Sequence, residues 1–135
     1  MEQVKIILSP RNRGFHIITD EVLSHLPELP EKGILHLFIQ HTSAGICINE
    51  NADPSVLTDM NQWFDQNILE NEPYYEHVHE GPDDMPSHIK AVMTGCEVHI
   101  PIINGSLALG TWQGIYLGEF RNQARSRKII ATIIS

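Results

Sequence analysis

Apolar and polar residues alternate along most of this chain, and a period of two marks strands with one buried face. Residues 4–8 and 14–19 are short β-branched runs around Arg11-Asn-Arg-Gly14, a pattern that predicts a hairpin. Residues 20–29 have helical spacing and stop at Pro30. Residues 34–40 carry apolar side chains on both parities, as expected of a central strand buried on two sides. Residues 46–50 continue as another strand. Asp53-Pro54 opens the clearest helix, with Asp as N-cap and Pro at the first helical position. Val56, Leu57, Met60, Trp63, Phe64 and Ile68 form its apolar stripe.

Residues 71–86 read as a loop rich in acids, histidines and turn formers, followed by a short helix over 86–93 that ends at Gly95. Val98, Ile100 and Ile102 alternate inward, and Asn104-Gly105 is a hairpin turn. Residues 107–120 form one long alternating run, with Ala108, Gly110, Trp112, Gly114, Tyr116, Gly118 and Phe120 on one parity. Glycine between aromatics calls for a close approach to that backbone, and the length calls for a bend or a neighbouring subunit. Residues 128–134 close the sheet. The expected architecture is α+β: one domain over 1–135 of mainly antiparallel strands with two or three helices.

Charge narrows the function. The chain of 135 residues has a formal net charge of −8, from 17 acids and 9 bases. No lysine-rich tract is present, so duplex nucleic acid is a poor partner. The longest apolar run, residues 129–134, is far short of the ~20 residues that span a bilayer. With no apolar leader and two isolated cysteines, Cys47 and Cys96, the expectation is a cytoplasmic protein with reduced thiols. From Gly33 to Ile89 there is no Lys or Arg, against ten acids and five of the eight histidines. From Phe120 onward there are four bases and no acid. One pole suits cations and the other suits anions; a solvated surface is the plainer account of most single charges in both.

The histidines differ in setting. His36, between Leu35 and Leu37, reads as a core histidine bonded to backbone. His41 ends the same strand, where a rigid element presents side chains to a cleft. His77 and His79 form an H-x-H pair, and His88 follows Asp83-Asp84-Met85-Pro86. His16, His25 and His99 lack acidic company and read as structural or surface. Imidazoles among this many carboxylates are the ligand set of Zn, Mn or Fe sites; the alternative is surface histidines on an acidic loop. Glu50 shares a face with Ile46 and Ile48, so it is either at the wet end of that face or held there for function. Arg125 and Arg127 point the same way and suit a phosphate or carboxylate; an ordinary basic turn is the alternative.

Four linked motifs carry a resemblance across essentially the whole chain. They are His41-Thr-Ser-Ala-Gly-Ile, Asn49-Glu-Asn-Ala-Asp53-Pro, Glu76-His77 through Glu80-Gly-Pro-Asp-Asp-Met-Pro-Ser-His88-Ile-Lys, and Leu109-Gly-Thr-Trp-Gln-Gly114 with Glu119. They resemble the YjbQ-like family, known also as secondary thiamine-phosphate synthase. The resemblance implies a compact α+β fold, a homotrimer, and transfer of a pyrimidine pyrophosphate onto a thiazole phosphate. The family's polar positions fall on His41, Glu50, His77, Asp84, His88, Thr111, Trp112, Gln113 and Arg127.

On that basis a divalent metal, Zn or Mg, is expected among His41, His77 and His88. Glu50 and Asp84 would orient ligands or act as base, and Arg127 with Arg125 would neutralise the phosphates. Thr111, Trp112 and Gln113 would contact substrate, with Trp112 stacking on a flat ring or serving the core. Arg127→Lys is then expected to damage function more than stability. Two other readings use the same residues: a metal-dependent hydrolase of a small phosphorylated or acylated metabolite, and a trimeric metabolite- or metal-binding protein without catalysis. An exposed stripe of Trp112, Tyr116 and Phe120 would be the trimer surface.

Overall fold

The computed structural model describes residues 1–135, and its order is β1 (Glu2–Ile7), β2 (Gly14–Ile17), α1 (Thr19–Ser24), β3 (Lys32–Ile39), β4 (Ala44–Glu50), α2 (Pro54–Asn67), α3 (Asp84–Thr94), β5 (Glu97–Ile103), β6 (Ser106–Leu107), β7 (Gln113–Glu119) and β8 (Lys128–Ile134). Two antiparallel sheets result, β1-β8-β3-β5-β6 and β2-β7-β4. Their facing sides form the main core. Leu35, Leu37, Ile39, Ile100, Ile102, Ile129 and Ala131 come from one sheet, and Ala44, Ile46, Ile115 and Leu117 from the other. The opposite side of the smaller sheet is covered by α2, where Phe15, Tyr116 and Phe120 pack on Leu57, Met60 and Phe64. The α+β expectation and its antiparallel pairing hold.

Local signals act as the sequence requires. Asn104 (φ 53°) and Gly105 (φ 76°) are both left-handed, the two-residue turn that joins β5 to β6. Asp53 caps α2 by accepting the Ser55 N–H at 2.9 Å, with Pro54 following it. Asp53→Ala is therefore expected to lower stability, the usual result of removing such a cap. A chemical-denaturation midpoint measures it, and an unchanged midpoint would show the cap to be redundant.

Four expectations are corrected. Residues 4–8 and 14–19 are not a hairpin. β1 pairs with β8, and β2 pairs with β7 in the other sheet, so the Arg11–Gly14 connection carries the chain between sheets. The helix expected to reach Leu29 ends at Ser24, because Pro27 and Pro30 disfavour helical backbone before them. β3 is central, but only Leu35, Leu37 and Ile39 are buried; Ile34 and Phe38 face outward with His36. Finally, residues 107–120 are not one strand. Gly110 and Gln113 close a turn, with Gln113 N–H donating to Gly110 O at 3.0 Å and Gly110 N–H to Gln113 Oε1 at 2.8 Å.

That break also removes the expected trimer stripe. Tyr116 and Phe120 are buried under α2, and only Trp112 stays exposed. The close approach inferred from the glycines comes from within the chain. A Cβ on Gly118 would overlap the Phe120 ring, and one on Gly114 would meet Asn51 at 2.8 Å.

Candidate metal centre and adjoining cleft

Asp84 and His88 lie four residues apart at the start of α3, so one helical face presents both. The preceding loop returns His77 to the same spot. The Asp84 Oδ2 atom receives His77 Nε2 at 2.6 Å and His88 Nε2 at 3.1 Å, and the two rings stand 5.3 Å apart. Their ligand atoms lie within 4.8 Å of one another, close enough to share one ion.

The hydrogen bonds around His88 fix its tautomer. His88 Nδ1 contacts the Thr42 carbonyl at 2.8 Å, and a carbonyl only accepts, so Nδ1 must carry a hydrogen. In the neutral ring the lone pair is then on Nε2, aimed at a carboxylate oxygen that is also an acceptor. Two acceptors 3.1 Å apart need a cation between them, either a second ring proton or a metal. The fit for a metal is good: two imidazoles and one carboxylate suit Zn and its neighbours and do not suit Mg. The Thr42 carbonyl is the partner that orients a ligating ring.

Asp84 is 2% exposed and is held in place by Arg121. Arg121 donates from Nη1 to Asp84 Oδ1 at 2.5 Å, from Nε to Asp83 Oδ2 at 2.8 Å, and from Nη2 to Glu80 O at 2.9 Å. Burial disfavours ionisation of Asp84. The His77 hydrogen bond and the charges of His88 and Arg121 outweigh it and hold the carboxyl below the usual range.

His41 stands apart from this cluster. Its Nε2 accepts the Lys128 backbone N–H at 2.8 Å, which removes that atom as a ligand and leaves its hydrogen on Nδ1. Burial, together with the nearby charges of Arg127 and Lys128, lowers its pKa and keeps the ring neutral. The ring lines a cleft of about 590 Å³ that it shares with Thr42, His88, Ala91, Val92 and Cys96. That volume suits a small organic molecule. His88 belongs to both the cleft and the cluster.

Arg127 occupies a different setting from the one expected. Glu119 sits on the core-facing side of β7, and both residues are buried. Arg127 Nε and Nη2 each reach a Glu119 oxygen at 2.6 Å, and Nη2 also donates to Ser43 O at 3.3 Å. A guanidinium engaged on this side is a brace between β7 and β8, and the carboxylate it grips is the chain's own Glu119, where the sequence pointed to a substrate phosphate.

The remaining expected site residues gather elsewhere. Glu50 and Gln113 are register partners at the far end of the smaller sheet, beside Thr111 and Trp112, all but Glu50 exposed. Ala44 and Glu119 pair at the near end, six residue steps away, roughly 20 Å along a strand. Glu50 Oε2 accepts the Asp53 N–H at 3.4 Å, so its carboxylate serves the chain's turn at the wet end of β4. Arg125 is exposed in the connection before β8, and His79 is exposed outside the cluster. One chain therefore joins His77, Asp84 and His88 but leaves Glu50, Thr111, Trp112 and Gln113 distant from them.

Sequence reasoning passed over Arg121 and Glu119. Arg121 looked like one of four bases, and its partners lie 37 to 41 residues away. Glu119 did leave a signal: a carboxylate on the parity of Ile115 and Leu117 has to be paired.

The two thiols differ sharply. Burial pushes Cys47 up to about 11, whereas Cys96 is exposed at the cleft. A thiol reagent at pH 8 is expected to label one site per folded chain, Cys96, with Cys47 reacting only on unfolding. Intact and peptide mass spectrometry read this out. Equal labelling of both would contradict the packing of Cys47.

The comparisons follow this geometry closely in extent. The model of the family described as UPF0047 protein YjbQ-like matches residues 4–135. The UPF0047 protein YjbQ of Escherichia coli is 49% identical over 133 residues, covering 97% of this chain and 96% of that one. A UPF0047 protein of Synechocystis is 39% identical over 129 residues, covering 95% and 88%. Among solved structures, an uncharacterized conserved protein of the YjbQ/UPF0047 family from Clostridium acetobutylicum superposes with TM-score 0.81 at 39% identity, covering 97% and 99%. A conserved hypothetical protein from Thermus thermophilus reaches TM-score 0.84 at 29% identity, with the same coverage. No helix is long and apolar enough to cross a membrane.

Proposed function

The chain belongs to the YjbQ-like UPF0047 family, and from that premise we propose that it is a metal-dependent hydrolase of a small acylated or phosphorylated metabolite, with His77, Asp84 and His88 as its metal centre. The observation that carries this reading is the convergence of the His77, Asp84 and His88 ligand atoms to within 4.8 Å of one another beside a cleft of substrate size. A divalent cation bound there supplies Lewis-acid polarisation of a carbonyl or phosphoryl oxygen. The protein's own part is positional. Thr42 O fixes the His88 ring, Arg121 fixes the Asp84 carboxylate, and the neutral His41 offers its Nδ1–H to charge developing on a substrate oxygen. Ala91 and Val92 give the cleft an apolar wall beside His88.

The thiamine-phosphate synthase activity implied by the resemblance draws less support. It asks Arg127 to neutralise a departing pyrophosphate, and that guanidinium is engaged by Glu119 and Ser43. Arg125 is the arginine left for the task. The homotrimer belongs to this proposal too, on a revised surface: Ile34, Phe38, Ile103 and Ile134 are exposed on the outer side of the larger sheet. Light scattering that shows a monomer at micromolar concentration removes it.

One screen tests the function. Metal-free and Zn- or Mn-loaded protein are offered carboxylic esters, phosphate monoesters, and the pyrimidine pyrophosphate with the thiazole phosphate. Metal-dependent ester hydrolysis that a chelator abolishes is the expected result. Pyrophosphate release that needs both thiamine precursors would favour the synthase instead. Binding without turnover would favour a non-catalytic protein.

A further inference from the structure

The outer side of the larger sheet carries a second cluster of the same ligand types. His36 of β3 and His99 of β5 are direct register partners, and their rings stand 4.7 Å apart. Glu97 lies two residues before His99, on the same side of β5. His36 Nε2 contacts Glu97 Oε2 at 3.0 Å, and His99 Nε2 contacts Glu97 Oε1 at 3.3 Å. The ligand atoms of all three lie within 4.8 Å. This overturns the expectations of a backbone-bonded core His36 and of a His99 without acidic company.

Three features separate the cluster from an incidental surface contact. The first is rigidity: the histidines sit on adjacent strands that pair over seven register positions, so their spacing is set by backbone hydrogen bonds. The second is the partner list. Glu97 makes hydrogen bonds to the two imidazoles and to no Lys or Arg. The third is the surroundings. Gln3, Thr132, His36 and His99 form one polar row across four strands, and Ile34 with Ile134 on one side and Phe38 with Ile130 on the other flank it. His36 is partly buried within this row, and Glu97 and His99 open to solvent. We propose that His36, Glu97 and His99 form a second divalent transition-metal site, distinct from the α3 centre, with an open coordination position for water or an added ligand. Two imidazoles and one carboxylate select Zn and Cu over Mg or Ca. His36 lies between Ile34 and Phe38 on this side of β3, so copies packing over those residues would enclose the ion.

The test begins in a background that lacks the α3 centre and the cleft thiol, His77→Ala/His88→Ala/Cys96→Ser. Zn titrated into this protein by calorimetry is expected to bind at one equivalent per chain, in the presence of excess Mg. Adding His36→Gln or His99→Gln is expected to weaken that binding by about tenfold or more. No binding in the background, or binding unmoved by both glutamine variants, overturns the site. Should a glutamine variant fail to fold, Cu bound to the background is read by electron paramagnetic resonance. Coupling to two imidazole nitrogens supports the site, and its absence refutes it. The α3 centre is already removed here, so either result leaves the functional proposal to its own test.

Discussion

Glu119→Gln is expected to be among the most damaging single changes outside the apolar core, and the damage is to folding. The substitution leaves the Arg127 guanidinium buried between the sheets without a counter-charge: the amide keeps one accepting oxygen, turns the other into a donor aimed at the guanidinium, and leaves Ser43 O as the remaining partner. Breaking a buried pair from one side removes about 3–5 kcal/mol, a large share of the ~5–15 kcal/mol that holds a domain together. Arg127→Lys keeps the charge and loses the fork, with an expected loss of about 1.5–3 kcal/mol. This reverses the effect expected of Arg127→Lys from the sequence. Arg125→Lys, on an exposed side chain, is the control and should stay within ~0.5 kcal/mol. Denaturant midpoints separate the three. A silent melt for Arg127→Lys with lost activity would return Arg127 to the site.

Arg121→Gln is expected to weaken both the fold and the metal centre. It withdraws three hydrogen bonds and leaves Asp83 and Asp84, 7% and 2% exposed, without their cation. Arg121 is itself partly exposed, so water screens some of the loss, and about 2 kcal/mol is the expected fall. Metal affinity at His77–Asp84–His88 should drop ~10–100-fold, the usual penalty for removing a group that orients a ligand. Arg121→Lys should recover part of the stability, because a single ammonium holds one carboxylate and not two. A fall in stability with metal affinity untouched would confine Arg121 to a bracing role.

The parts of this fold that were legible in the sequence are those decided locally. The Asp53-Pro54 cap, the Asn104-Gly105 turn and the inward alternation of Val98, Ile100 and Ile102 each depend on a few adjacent residues. Strand partnership does not. β1 pairs with a strand more than 120 residues away, so nothing near Arg11–Gly14 could disclose that the connection crosses between sheets. Likewise the turn at Gly110–Gln113 is closed by a glutamine side chain, and period-two alternation runs through it unbroken.

The site divides the same way. Asp84 and His88 are one helical turn apart because α3 begins at Asp84, two residues before the expected start at Pro86, and His77 arrives through a loop of irregular course. His41 lies two residues past the end of β3, in the connection to β4, and which of its nitrogens is free depends on Lys128, 87 residues on. Glu50, Thr111, Trp112 and Gln113 share one end of the smaller sheet, which motif order along the chain does not reveal.

The central claim is that His77, Asp84 and His88 hold a metal, and elemental analysis of the purified protein and its variants tests it most directly. Wild-type protein washed in Zn and desalted should retain an equivalent per chain that His88→Ala and His77→Ala both lack. His88→Ala should otherwise fold normally, because its side chain is 30% exposed and makes two hydrogen bonds, together worth about 2 kcal/mol at most. Metal retained in equal amount by wild type, His77→Ala and His88→Ala would contradict the claim and leave Asp84 as a hydrogen-bond partner of both histidines.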